Sequence, residues 1–90
     1  MIEIFGKEMC DWCDKAREMC EQYGVKYSYY PLDDRFEGES HMAGLKERVE
    51  EQSLTIKTVP AIWQGGVYIG GFNELAKYFE NTREYGQEGF

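Results

Sequence analysis

The chain has 90 residues, with 17 Asp and Glu against 10 Lys and Arg, a formal net charge of −7 and three cysteines. That length holds one small core, to which seven Tyr, five Phe and two Trp bring large buried areas. The acidic balance, with no Lys/Arg cluster, argues against a nucleic-acid or anionic-membrane partner.

The longest uncharged run, Thr58 to Asn73, contains Pro60 and four glycines and does not read as a membrane span. The start, Met1 to Gly6, has neither the basic residues nor the apolar run of a leader, so a cytoplasmic location is expected. Thiols are kept reduced there, and a close cysteine pair does chemistry more often than stapling.

Ile2 and Ile4 alternate with polar neighbours up to Gly6 and predict a first strand. Ala16, Met19, Cys20 and Tyr23 recur at spacings of three and four, one face of a helix for which Gly24 is a natural stop. Val25, Tyr27 and Tyr29 predict a second strand ended by Pro31. Asp33, Asp34, Glu37, Gly38 and Glu39 read as a solvated loop, with Ser40 the expected cap of a helix running to about Gln52. Ala61–Trp63 and Val67–Ile69, joined through Gln64-Gly65-Gly66, predict an antiparallel hairpin. Asn73 is the expected cap of a last helix carrying Leu75, Ala76, Tyr78 and Phe79. The domain is expected to occupy 1–82, with 83–90 a polar tail. The order β-α-β-α-β-β-α implies an α/β fold, a mixed sheet of about four strands flanked by three helices.

Cys10-Asp11-Trp12-Cys13 lies between the first strand and the first helix. Free backbone N–H groups and the helix dipole at such a position favour a thiolate at Cys10. The spacing puts Cys13 within reach of it, so Cys10 can attack a disulfide and Cys13 can resolve the mixed disulfide. Lys7 adds a positive charge nearby, which Asp11 and Asp14 oppose. A zinc site would need four ligands, and only Cys20 and His41 remain to complete one, so no metal is expected. Cys20 shares the apolar helix face and reads as core; His41 reads as a surface residue. The acidic stretch from Asp33 to Glu51 reads as a solvated face.

With Lys7 and the cysteine pair, Thr58-Val59-Pro60 before the third strand and Gly70-Gly71-Phe72-Asn73 after the fourth complete a set that resembles the glutaredoxin family. The resemblance spans Ile2 to about Phe79 and implies a thioredoxin-like fold. Within the family, the short length, the Asp-Trp pair and the acidic middle are most similar to the small glutaredoxins of T4-like bacteriophages, which would place the protein in a host cytoplasm. The resemblance implies a cis Val59–Pro60 bond. It makes glutathione the co-substrate, bound along Val59 as an added strand, with Thr58 and Pro60 beside it. Gly71, Phe72 and Asn73 at the helix start would take its glutamyl carboxylate, Lys7 its glycyl carboxylate, and Trp12 would form an apolar wall. Three departures stand out: Asp11 and Trp12 replace the family's usual Pro and Tyr, and Phe72-Asn73-Glu74 replaces its usual small residue and acidic pair.

The expected activity is that of a monomeric dithiol glutaredoxin. It would reduce protein disulfides, ribonucleotide reductase among them, and glutathione mixed disulfides. Two alternatives follow from the same resemblance: an iron–sulfur cluster carrier, and a redoxin reduced by thioredoxin reductase.

Overall fold

The computed structural model describes the backbone of residues 1–88 and the side chains of residues 1–81. Its elements are β1 (Ile2–Gly6), α1 (Asp11–Gln22), β2 (Tyr27–Pro31), α2 (Gly38–Glu51), β3 (Ala61–Gln64), β4 (Val67–Gly70) and α3 (Phe72–Glu88). They form one sheet in the order β2-β1-β3-β4. β1 pairs in parallel with β2, Ile4 beside Tyr29, and antiparallel with β3, Ile4 opposite Ile62. The expected mixed four-stranded sheet with three helices is the one observed.

Alternation along β1 and β3 divides the core between the two faces of the sheet. Ile2, Ile4 and Ile62 pack with Ala16 and Cys20 of α1 and with Leu75 and Phe79 of α3. Phe5, Ala61 and Trp63 face the other way, against Leu45 of α2. Glu3 points to that second face too. A carboxylate there needs a partner, and Arg48 of α2 supplies it at 3.1 Å while its guanidinium lies 5.0 Å from the Phe5 ring. The hairpin turns on Gly65 and Gly66, both at positive φ, which only glycine adopts without cost.

Several boundaries differ from the sequence expectation, each for a local reason. Val25 is not in β2, because its N–H bonds to the Cys20 carbonyl and closes α1. Ser40 does not cap α2. The helix begins two residues earlier, at Gly38, and the Asp34 carboxylate takes the N–H groups of Phe36 and Glu37 ahead of it. Those two donors hold the Asp34 carboxyl below its ordinary pKa. Asn73 does not cap α3 either. Gly71 accepts the first helical bond, from Leu75 N–H, and the Glu74 carboxylate reaches back to Gly71 N–H at 2.7 Å, half of a capping box. The last helix runs on to Glu88, since no proline interrupts it; of the expected 83–90 tail, residues 89 and 90 lie outside the described residues.

His41 is not a free surface residue. Its Nδ1 lies 2.8 Å from the Pro31 carbonyl and its Nε2 3.4 Å from Glu37, and its ring meets Tyr30 edge-on, so it ties α2 to β2. The acidic segment is likewise used: the Asp33 carboxylate accepts the Glu8 N–H at 3.2 Å and anchors the loop that carries the cysteine pair. No helix among the described residues is long and apolar enough to cross a membrane.

Candidate active site

The β1–α1 loop brings the cysteine pair to one end of the sheet. Met9, at φ 54 and fully exposed, turns the chain so that Cys10 becomes the N-cap of α1. Its sulfur does what a Ser or Asp side chain would do there: it accepts the N–H of Cys13 at 3.2 Å. The helix start behind it places that sulfur at the positive end of the α1 dipole. Cys10 is half-buried, whereas Cys13 is fully buried. All three cysteines are free thiols. Burial, reinforced by its contact with Cys10, pushes the Cys13 thiol up to about 11. The pair is therefore asymmetric, an accessible sulfur in front of a shielded one that stays protonated at neutral pH.

Beside the pair lies a cleft of about 240 Å³ whose lining includes Trp12, Thr58, Val59, Pro60, Gly71, Phe72, Asn73 and Glu74. Seven of the eight residues expected to hold glutathione thus come together, from α1, the segment before β3 and the start of α3. The eighth, Lys7, lies in an adjoining depression of about 220 Å³ that shares Thr58 and Val59 and brings Lys57 alongside. The two hollows form one groove over Thr58 and Val59. The Val59–Pro60 bond is cis. The β1–β3 ladder ends with Phe5 opposite Ala61, so Val59 stands beyond it with its backbone on the groove. Trp12 is half exposed, its ring 5.3 Å from Phe72 and covered by the Lys15 ammonium at 4.5 Å. Gly70, at φ 133, lets the chain pass close over Glu74 between β4 and α3.

Cys20 and His41 are far from completing a metal site with the pair: Cys20 is sealed in the core between the sheet and two helices, and His41 is engaged on α2. A larger cleft, about 730 Å³, lies at the opposite end of the sheet between Ile2, Tyr23 and Phe79, away from Cys10 and Cys13.

Sequence reasoning missed two participants, Tyr29 and Gly6, and gave Glu74 another part. Glu74 was expected to offer its charge to a ligand ammonium group, and it occupies Gly71 N–H, one of the donors expected to be free for a ligand carboxylate. Tyr29 was read only as a strand residue, and its hydroxyl reaches the loop at Lys7. Gly6 was read as the end of a strand, and it makes room for both Tyr29 and Cys13.

The Glutaredoxin family model matches residues 2–69 of the chain. Glutaredoxin-C2 of Arabidopsis thaliana is 31% identical over 70 residues, which are 78% of this chain but 59% of the plant protein, so the chain spans less than two thirds of that relative. Glutaredoxin 3 of Escherichia coli is 30% identical over 74 residues, 82% of this chain and 80% of the bacterial one. Among solved structures, a buckwheat glutaredoxin–glutathione complex superposes with a TM-score of 0.70 at 25% identity, covering 90% of this chain and 69% of the other. A dithiolic glutaredoxin from Trypanosoma brucei brucei gives 0.71 at 25%, covering 94% and 82%.

Proposed function

This chain belongs to the glutaredoxin family, and we propose that it is a dithiol, glutathione-dependent thiol–disulfide oxidoreductase. The observation that supports this most is the asymmetric pair: Cys10 half-buried at the head of α1 and Cys13 buried behind it, at the edge of a groove over Val59.

Cys10 as thiolate attacks a protein disulfide, forming a mixed disulfide and releasing one substrate thiolate. Cys13 attacks the Cys10 sulfur, releases the second substrate thiolate and leaves the Cys10–Cys13 disulfide. One glutathione thiolate opens that disulfide at Cys10, and a second removes the first as oxidised glutathione. With a glutathione mixed disulfide as substrate, Cys10 alone suffices, because the second glutathione replaces Cys13.

In this reading glutathione lies along Val59, pairing with its N–H and C=O, between Thr58 and Pro60. Trp12, backed by Phe72, walls one side of it. Lys7 meets the glycyl carboxylate, while Gly71, Phe72 and Asn73 present the start of α3 to the glutamyl carboxylate. Glu74 must swing off Gly71 N–H for that last contact to form. Ribonucleotide reductase is the protein substrate we propose, on the family resemblance.

The test is reduction of a small glutathione mixed disulfide, coupled through glutathione reductase to NADPH loss. Cys10→Ser abolishes turnover; Cys13→Ser keeps this reaction and loses reduction of a protein disulfide. Full activity in Cys10→Ser, or no turnover by the wild-type protein, overturns the reading.

A further inference from the structure

Gly6 stands where the first strand meets the loop of the cysteine pair. A Cβ on it would lie 2.6 Å from the Tyr29 hydroxyl and 2.8 Å from the Cys13 sulfur, so both atoms press into the space that glycine leaves empty. Tyr29 arrives from β2, on the same side of the sheet as Ile4, and donates its hydroxyl to the Lys7 carbonyl at 2.9 Å. The Arg17 guanidinium, 4.4 Å from the ring centroid, covers the ring from α1. The Tyr29 hydroxyl and the Cys13 sulfur thus border the same space at Gly6, and the hydroxyl acts to lower the thiol's pKa against the larger effect of burial.

A buried thiol that must act as a nucleophile needs donors for the charge it develops, because no water reaches it. We propose that Tyr29 is a positioning residue of the second half-reaction: its hydroxyl donates to the Cys13 sulfur as it becomes the attacking thiolate. The inference rests on the dithiol reading above and adds to it the group that makes the resolving cysteine competent. At rest the hydroxyl proton points to the Lys7 carbonyl. Rotation about the ring C–O bond turns it to the sulfur without moving the ring. Burial raises the Tyr29 pKa further, so the phenol stays protonated and serves as a donor, never as a base.

The step balances as Cys13–SH plus Cys10–S–S–R giving Cys10–S–S–Cys13 plus R–SH. The Cys10–S–R bond breaks as the Cys10–Cys13 bond forms. The Cys13 sulfur is oxidised, the departing R sulfur is reduced, and the proton lost by Cys13 ends on the departing R thiolate. Tyr29 keeps its own proton throughout.

Ellman's reagent in excess separates the two half-reactions in one stopped-flow trace. The first thionitrobenzoate leaves when Cys10 attacks, at a rate proportional to reagent. The second leaves when Cys13 displaces the label from Cys10, at a rate independent of reagent. In Tyr29→Phe the second phase slows about tenfold, the worth of one hydrogen bond to a charged group, and the first phase keeps its rate. Combined with Cys13→Ser, the same substitution changes nothing, because only the first phase remains. A second phase as fast as wild type in Tyr29→Phe overturns the inference, and so does equal slowing of both phases. A wild-type protein with no second phase overturns the dithiol reading instead, so the two failures are distinct.

Discussion

Cys13 gives the sharpest quantitative expectation. Replace Cys10 by Ser, so that Cys13 is the only sulfur of the pair left to react, and treat the protein with iodoacetamide at pH 7.5. Burial is the largest cause of its raised pKa and survives the substitution while the contribution of Cys10 is lost, so the thiol stays above its ordinary 9.0, and the wild-type value of about 11 is an upper bound. The thiolate fraction then falls by up to about a hundredfold. The more basic thiolate is intrinsically faster, by up to about eightfold for a Brønsted slope of 0.4–0.5, so the net rate is up to about tenfold below that of a free thiol. Full burial of the side chain slows it further. Alkylation followed by mass spectrometry, peptide by peptide, measures it, and the rate climbs about tenfold per pH unit from pH 8 to pH 10. A plateau near pH 9, or modification of Cys13 as fast as an unstructured cysteine peptide, would refute the claim that burial controls this sulfur.

Two further outcomes are expected. Cys13 and Cys20 are both buried with pKa values raised from 9.0 to about 11, so the neutral thiols stabilise the fold below pH 9 and that stability is lost as pH rises through 11. The full loss is about 3 kcal/mol per thiol, of which about 2 has occurred by pH 10.5; urea melts at pH 8 and pH 10.5 detect it, and Cys20→Ala reduces the difference between them by about 2 kcal/mol, the rest coming from Cys13 and the buried tyrosines. Glu74→Ala removes the carboxylate that accepts Gly71 N–H, which costs about 1 kcal/mol of stability by thermal melting. The same change frees that donor and lowers the KM for glutathione; a higher KM would show that Glu74 assists glutathione binding.

What could be read in the sequence was what repeats or sits at a fixed spacing. The alternation of Ile2 and Ile4, the three-and-four spacing around Ala16 and Cys20, and the double glycine of the hairpin each follow from local geometry, and all three appear in the fold. The groove was legible because its motifs lie at strand and helix ends, which the antiparallel pairing of β1 with β3 and of β3 with β4 brings to the same end of the sheet. Contacts between elements left no local trace. Glu3 with Arg48, Asp33 with the Glu8 amide and Tyr29 with the Lys7 carbonyl join residues more than twenty positions apart. Ser40 and Asn73 are good caps by residue type, and the actual helix starts were set instead by Asp34 and Glu74, carboxylates that reach amides ahead of the first turn.

Cys10 holds the first turn of α1 with the same sulfur that enters the chemistry. Reduction and oxidation therefore change the quality of a helix cap as well as the state of a bond. The Cys13 amide reports on both at once: its solvent exchange is slowest while the reduced Cys10 sulfur accepts it and quickens as that sulfur becomes part of a disulfide. By thermodynamic linkage, whatever tightens the cap favours the dithiol and makes the protein a weaker reductant. The residues that frame this turn, Asp11 and Asp14 among them, thus tune electron affinity through backbone geometry as well as through their charge.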